Sequence, residues 1–108
     1  MAARPDIIAK VNQFVQELLA QGLSLDRAIL FGSHVNGNAS PDSDVDVALV
    51  SDQFTGFGFE DRKWFSKIKI RPAFMDIETR TFSKDYFAQG DPFIAEIVKT
   101  GIELYKSI

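Results

Sequence analysis

Two stretches of this 108-residue sequence place chemically able side chains at telling distances: Leu30-Phe31-Gly32-Ser33 and, ten residues later, Asp44-Val45-Asp46-Val47. Gly32 lets the backbone turn sharply and pass close to a ligand. Ser33, opening a short helical turn, offers a hydroxyl and backbone N–H groups to an anionic oxygen. Asp44 and Asp46 are two apart, so on a strand both carboxylates face the same way. Such a pair repels itself and stays ionised cheaply only with a cation between the two groups. The chain has no cysteine and a single histidine, His34. Hard oxygen ligands without Cys or a His cluster favour Mg²⁺, or Mn²⁺, over Zn²⁺. A phosphate-holding turn beside a magnesium-holding pair is equipment for binding a nucleoside triphosphate.

A third carboxylate stands in Phe74-Met75-Asp76-Ile77-Glu78. Asp76 is expected on a strand between apolar neighbours, where a bare charge is expensive. If that strand neighbours the Asp44/Asp46 strand, three carboxylates converge and can hold two metal ions, the arrangement for in-line phosphoryl displacement. Glu78 shares the face of Asp76 and reads as solvated or salt-bridged. His34 reads as a packed or surface residue, and Asp42 and Ser43 as turn formers.

The elements that must position these groups follow from pattern. Ile7, Ile8, Val11, Phe14, Val15, Leu18 and Leu19 recur at helical spacing and predict a helix over about residues 5–21, with Gly22 as its terminator. Ala28 to Phe31 is too short for a helix and predicts a buried strand. Residues 36–43 are turn formers, and Asp44 to Ser51 predicts a second, valine-rich strand. The loop 52–59 carries glycines and aromatics, and a helix is expected over 60–68. Pro72 stops it, and Ala73 to Arg80 predicts a third strand. A helical turn is expected at 83–88 with Ser83 as N-cap. Asp91-Pro92 opens the last helix, Gly101 closes it, and Ile102 to Tyr105 makes a short edge strand. The fold class is α/β (α+β), a small mixed sheet of three to four strands flanked by helices. The expectation is one domain over 1–108, with residues 1–4 as a loose end.

The run from Leu30 to Val47, with its Gly-Ser and Asp-x-Asp, resembles the signature of the minimal nucleotidyltransferases of the DNA polymerase beta-like superfamily. The ending Gly90-Asp91-Pro92-Phe93-Ile94…Lys99-Thr100-Gly101-Ile102-Glu103-Leu104-Tyr105 also looks like that family's tail, so the resemblance covers nearly the whole chain. It implies a palm-like core and a Mg²⁺-dependent transfer of a nucleoside monophosphate, AMP from ATP, to a hydroxyl. It puts the triphosphate on Gly32 and Ser33, two Mg²⁺ ions on Asp44 and Asp46, and the acceptor-side metal and base role on Asp76. Asn36 stands where many relatives carry Arg or Lys, which leaves one hydrogen bond in place of a charged phosphate contact. Small proteins of this type are similar to the antitoxin halves of toxin–antitoxin pairs with HEPN-type helical partners. The partner's tyrosine is then the acceptor; the alternative is a non-catalytic antitoxin or binding module that acts by complexing its partner.

Other readings fail on the residues. Gly32-x-x-x-x-Gly37 begins like a P-loop, but Asn38 and Ala39 replace the Lys and Ser/Thr it needs. Asp42-x-Asp44-x-Asp46 begins like an EF-hand, but Val47 and Gln53 replace its Gly and Glu. The net charge of −3 lacks the positive balance of a duplex nucleic-acid binder. No apolar run approaches the ~18 residues of a membrane span, and the N-terminus has no secretory h-region, so a cytoplasmic protein is expected. The aromatics Phe54, Phe57, Phe59, Trp64 and Phe65 read as core or as a docking patch. The basic run Arg62, Lys63, Lys67, Lys69 and Arg71 reads as a solvated face or as a phosphate or acidic-partner contact.

Overall fold

The first helix, α1 (Pro5–Ala20), starts with proline in its first turn and buries Ile7, Val11, Phe14, Val15 and Leu18. The structure is a computed structural model describing residues 4–40 and 43–107, with side chains except at 58 and 59. At the end of α1 the amides of Gly22 and Leu23 return to the carbonyls of Leu19 and Leu18. Gly22 takes φ +93° there, which a residue without Cβ does at little cost.

Four strands follow in chain order: β1 (Arg27–Phe31), β2 (Val45–Val50), β3 (Ile77–Phe82) and β4 (Ile102–Lys106). Their order in the sheet is β3-β2-β1-β4. β2 pairs antiparallel with β1 and parallel with β3, and β4 pairs antiparallel with β1. The sheet is therefore mixed, and β3 is an edge.

Alternation along β2 sorts its side chains between two cores. Val45, Val47 and Leu49 pack with Val11, Phe14 and Leu18 of α1. Ala48 and Val50 pack with Ile29, Phe82, Phe87, Ile94 and Ile97 under α5 (Lys84–Gln89) and α6 (Pro92–Thr100). Each fully buried aliphatic or aromatic side chain contributes about 1.5–3 kcal/mol, so this double-sided burial holds β2 firmly. Asp46, one residue off the Val45/Val47 face, belongs to the α5–α6 side. The two late caps are as expected: Ser83 Oγ accepts from the Tyr86 amide and Asp91 Oδ1 from the Ile94 amide.

Two expectations need correction. The helix over 60–68 is broken into α3 (Gly58–Asp61), a 3₁₀ turn (Arg62–Trp64) and α4 (Ser66–Lys69). The cause is Asp61, which is buried and accepts hydrogen bonds from the Thr55 amide and hydroxyl, the Gly56 amide and the Thr81 hydroxyl. That long-range contact pins the segment's start to β3. The third strand begins at Ile77, not Ala73, because Pro72 opens a 3₁₀ turn (Pro72–Phe74) and Asp76 lies in the turn after it. The aromatic cluster divides: Phe54 and Phe65 are core, Trp64 packs against it, and Phe57 is 70% exposed. Asp42 and the Phe59 side chain lie outside the described residues. Among the described residues no helix is long and apolar enough to cross a membrane.

Candidate active site

β1 ends at Phe31, and Gly32 then turns the chain with φ +81° into the single helical turn α2 (Ser33–Asn36). Phe31 lies opposite Asp46 in the β1–β2 register. This brings Gly32 against the Asp46 side chain. A Cβ on Gly32 would lie 2.3 Å from Asp46 Oδ2. Glycine is thus required twice over, by the backbone angle and by the carboxylate. Among the described residues the Ser33 hydroxyl has no hydrogen-bond partner, and the first amides of such a turn have no intrahelical acceptor.

His34 Nε2 lies 3.2 Å from the Ser43 carbonyl, which ties the α2 turn to the residue just before Asp44. Asp44 is exposed and precedes β2; Asp46 is half-buried within it. Burial first, then the charges of Asp44 and Glu78, push the Asp46 carboxyl above its ordinary value; Arg80 and His34 pull it down. The groups acting on Asp46 are therefore Asp44, Glu78, Arg80 and His34. Glu78 is the register partner of Asp46 in the parallel β2–β3 pair, and Arg80 follows two residues on, on the same face.

Asp76 stands differently. Its carbonyl accepts the Val45 amide at 2.8 Å, so its backbone adjoins the start of β2. Its carboxylate turns to α1, where Lys10 Nζ donates at 3.0 and 2.8 Å to its two oxygens. Asn36 is exposed at the end of α2. The structure thus gathers Gly32, Ser33, Asp44 and Asp46, leaves Asn36 at the rim, and brings Glu78 to the place beside Asp46. Glu78 and Arg80 come to the Asp46 face only through the register, which no local pattern in the sequence encodes.

The donor set fits Mg²⁺. That ion is held through one or two carboxylates, with substrate phosphates and waters completing its shell. Among the described residues no three acidic or imidazole groups are placed to hold a metal by themselves, and an Asp44/Asp46 pair sharing the work with phosphates needs no third. Burial and then repulsion raise Asp46, and a divalent cation relieves the repulsion.

A mixed sheet with helices on both faces, and a Gly-Ser turn abutting an Asp-x-Asp strand, define the nucleotidyltransferase class of fold. The nucleotidyltransferase domain profile matches residues 8–102, and the chain belongs to that family. No curated protein matches the sequence. Three solved structures show the fold. A toxin–antitoxin complex with AMP-PNP shares 18% identity at TM-score 0.61, over 89% of this chain and 73% of that one. A protein from Sulfolobus solfataricus described as a candidate nucleotidyltransferase shares 17% at TM-score 0.63, over 93% and 80%. The toxin–antitoxin MntA–HepT shares 16% at TM-score 0.56, over 92% and 72%.

Proposed function

We propose that this protein transfers a nucleoside monophosphate, AMP from ATP, to a hydroxyl of a helical HEPN-type partner, as the antitoxin of a toxin–antitoxin pair. The observation that carries the reading is the seating of the Asp46 carboxylate against Gly32, which joins a phosphate-binding turn to a paired-carboxylate strand. Membership of the nucleotidyltransferase family supports the chemistry, and the toxin–antitoxin relatives of the same fold support the partner.

Ser33, through its hydroxyl and amide, receives the terminal phosphates. Asp44 and Asp46 hold Mg²⁺. Bound there, it would neutralise charge on the transferring phosphate and lower the pKa of the acceptor hydroxyl. The bond between the α-phosphorus and the bridging oxygen breaks as the acceptor oxygen attacks, and pyrophosphate leaves. The acceptor's proton passes to a carboxylate at the start of β3. Asp76 is one candidate, freed when Lys10 releases it; Glu78 is the other, favoured by its register with Asp46. If Asp76→Asn abolishes turnover and Glu78→Gln does not, Asp76 is the base; the reverse assigns Glu78.

The acceptor's side of the site is the outer flank of β3. A cavity of about 600 Å³ there is lined by Arg62, Phe65, Ser66, Lys69 and Ile70 along with Glu78. Its basic bank suits an acidic partner surface. The experiment is incubation with labelled ATP, Mg²⁺ and the protein encoded beside this one. The reading predicts a nucleotidyl adduct on that partner by mass spectrometry, absent with Asp44→Asn/Asp46→Asn. A stable complex without adduct would instead establish the binding-module function.

A further inference from the structure

We infer that Arg80 is the cation that meets the phosphates of the incoming nucleotide, and that the cavity it borders holds the nucleoside. This rests on the nucleotidyltransferase reading and adds to it where the rest of the nucleotide lies. Arg80 sits on β3 opposite Ala48, on the face that carries Asp46. Its guanidinium lies 5.7 Å above the centre of the Phe93 ring. Phe93 is itself braced edge-on by Phe31, 5.7 Å between centres, and Phe31 is the register partner of Asp46. The cation is thus held on a ring that leads directly to the carboxylates. Among the described residues Arg80 forms no ion pair, although Asp46 lies within its electrostatic reach. A planar guanidinium seated over a ring and outside any direct ion pair is suited to bidentate contact with phosphate oxygens.

The cavity of about 760 Å³ beside it is bounded by Arg80, Glu78, the 55–57 loop, Tyr86, Asp91 and Phe93. That size falls in the ~300–1,000 Å³ range of small-molecule sites. Its walls combine aromatic faces for a base, from Phe57 and Tyr86, with the hydroxyls of Thr79 and Ser83 for a ribose. Asp91 is already engaged by the Tyr86 hydroxyl and the Ile94 amide, so Arg80 supplies the cavity's available positive charge among the described residues. Asp61 fixes the loop wall by its bonds to Thr55 and Gly56.

The test is fluorescence titration of wild type, Arg80→Ala, Arg80→Lys and Phe57→Ala with ATP, adenosine and tripolyphosphate, all with Mg²⁺. Arg80→Ala should weaken ATP and tripolyphosphate by ~10-fold or more, as loss of a charge-assisted contact does, and leave adenosine unchanged. Arg80→Lys should recover part of the loss, which keeps the test informative should the alanine variant fail to fold. Phe57→Ala, at an exposed position, should weaken ATP and adenosine alike and spare tripolyphosphate. If wild type binds ATP and Arg80→Ala binds it equally, the assignment is overturned while the transferase reading stands. If Arg80→Ala binds ATP normally but labels the partner slowly, the cavity belongs to the acceptor, and the assignment is again overturned. If wild type binds no ATP, the transferase reading fails and takes this assignment with it.

Discussion

Alanine at Gly32 and at Gly37 should separate the demand of the site from that of an ordinary left-handed turn. Both glycines have φ +81°, but ψ is 12° at Gly37, in the left-handed helical region, and −151° at Gly32, where glycine alone is at ease. An L-residue in the left-handed helical region costs about 1–2 kcal/mol, offset by about 0.4–1 kcal/mol from the stiffer unfolded chain. Gly37→Ala should therefore lose about 1 kcal/mol of stability, and Gly32→Ala more, up to about 3 kcal/mol. Their surroundings differ too. A Cβ at position 37 meets nothing within 4 Å, whereas one at 32 falls 2.3 Å from Asp46 Oδ2 and 3.1 Å from its Cγ. The carboxylate must retreat by about 1 Å to regain ordinary contact. The carboxylate must make the move alone, because the β2 backbone is fixed by burial of its Val and Leu neighbours. Misplacement of a reacting group by that much costs ~10²-fold in rate. Urea denaturation should show the larger loss for Gly32→Ala. Titration with Mg²⁺ and ATP, and the labelling of the partner, should show near-normal behaviour for Gly37→Ala and severe loss for Gly32→Ala. Equal nucleotide affinity and equal labelling in both variants would refute the argument that Gly32 exists to admit the Asp46 carboxylate.

Asp46 binds its proton more tightly folded than unfolded, so its ionisation costs stability. That cost is absent below the unfolded value of 3.8 and complete once pH has risen past the higher folded value. Asp46→Asn should therefore raise the urea midpoint at neutral pH, and the gain should vanish as pH falls through this window; a gain that persists in acid contradicts the sign. Asp61→Asn should cost about 2 kcal/mol, because each carboxylate oxygen accepts one backbone N–H and an amide NH₂ must face one of them whichever way it is turned. A loss below ~0.5 kcal/mol in urea denaturation, the range of ordinary surface changes, would show that the loop is held by something else. Lys10→Met should change stability by at most ~1 kcal/mol, since its pair with Asp76 is partly exposed. If Asp76 is the acceptor-side base, the same change should speed labelling, whereas an unchanged rate points to Glu78.

The parts legible in the sequence are those governed by local rules. The α1 periodicity, the Ser83 and Asp91 caps, the Gly-Ser turn and the valine-rich Asp-x-Asp strand each depend on residues a few positions apart, and the structure has them within a residue or two. The parts that were not legible depend on contacts across the chain. Asp61 breaks the expected helix because Thr81, twenty residues away, and the Thr55–Gly56 amides share its carboxylate. The start of β3 is displaced because Pro72 starts a 3₁₀ turn, while its sequence pattern marks only a helix stop. Glu78 and Arg80 join the Asp46 face through the parallel register of β3 on β2. That pairing joins strands separated by the whole α3–α4 segment, so their nearness to Asp46 cannot be read from spacing. Asp76 shows the converse: its backbone is where the sequence would put a third carboxylate, and Lys10, sixty-six residues earlier, turns its side chain to α1.

The central claim is that Gly32, Ser33, Asp44 and Asp46 form one site for a metal-bound triphosphate. The direct measurement is anomalous scattering from crystals grown with Mn²⁺ and a non-hydrolysable ATP analogue. The account predicts manganese between the Asp44 and Asp46 carboxylates, with the triphosphate against Ser33 and the nucleoside beyond Arg80. Manganese and nucleotide bound elsewhere, with Asp44 and Asp46 touching neither, would contradict it.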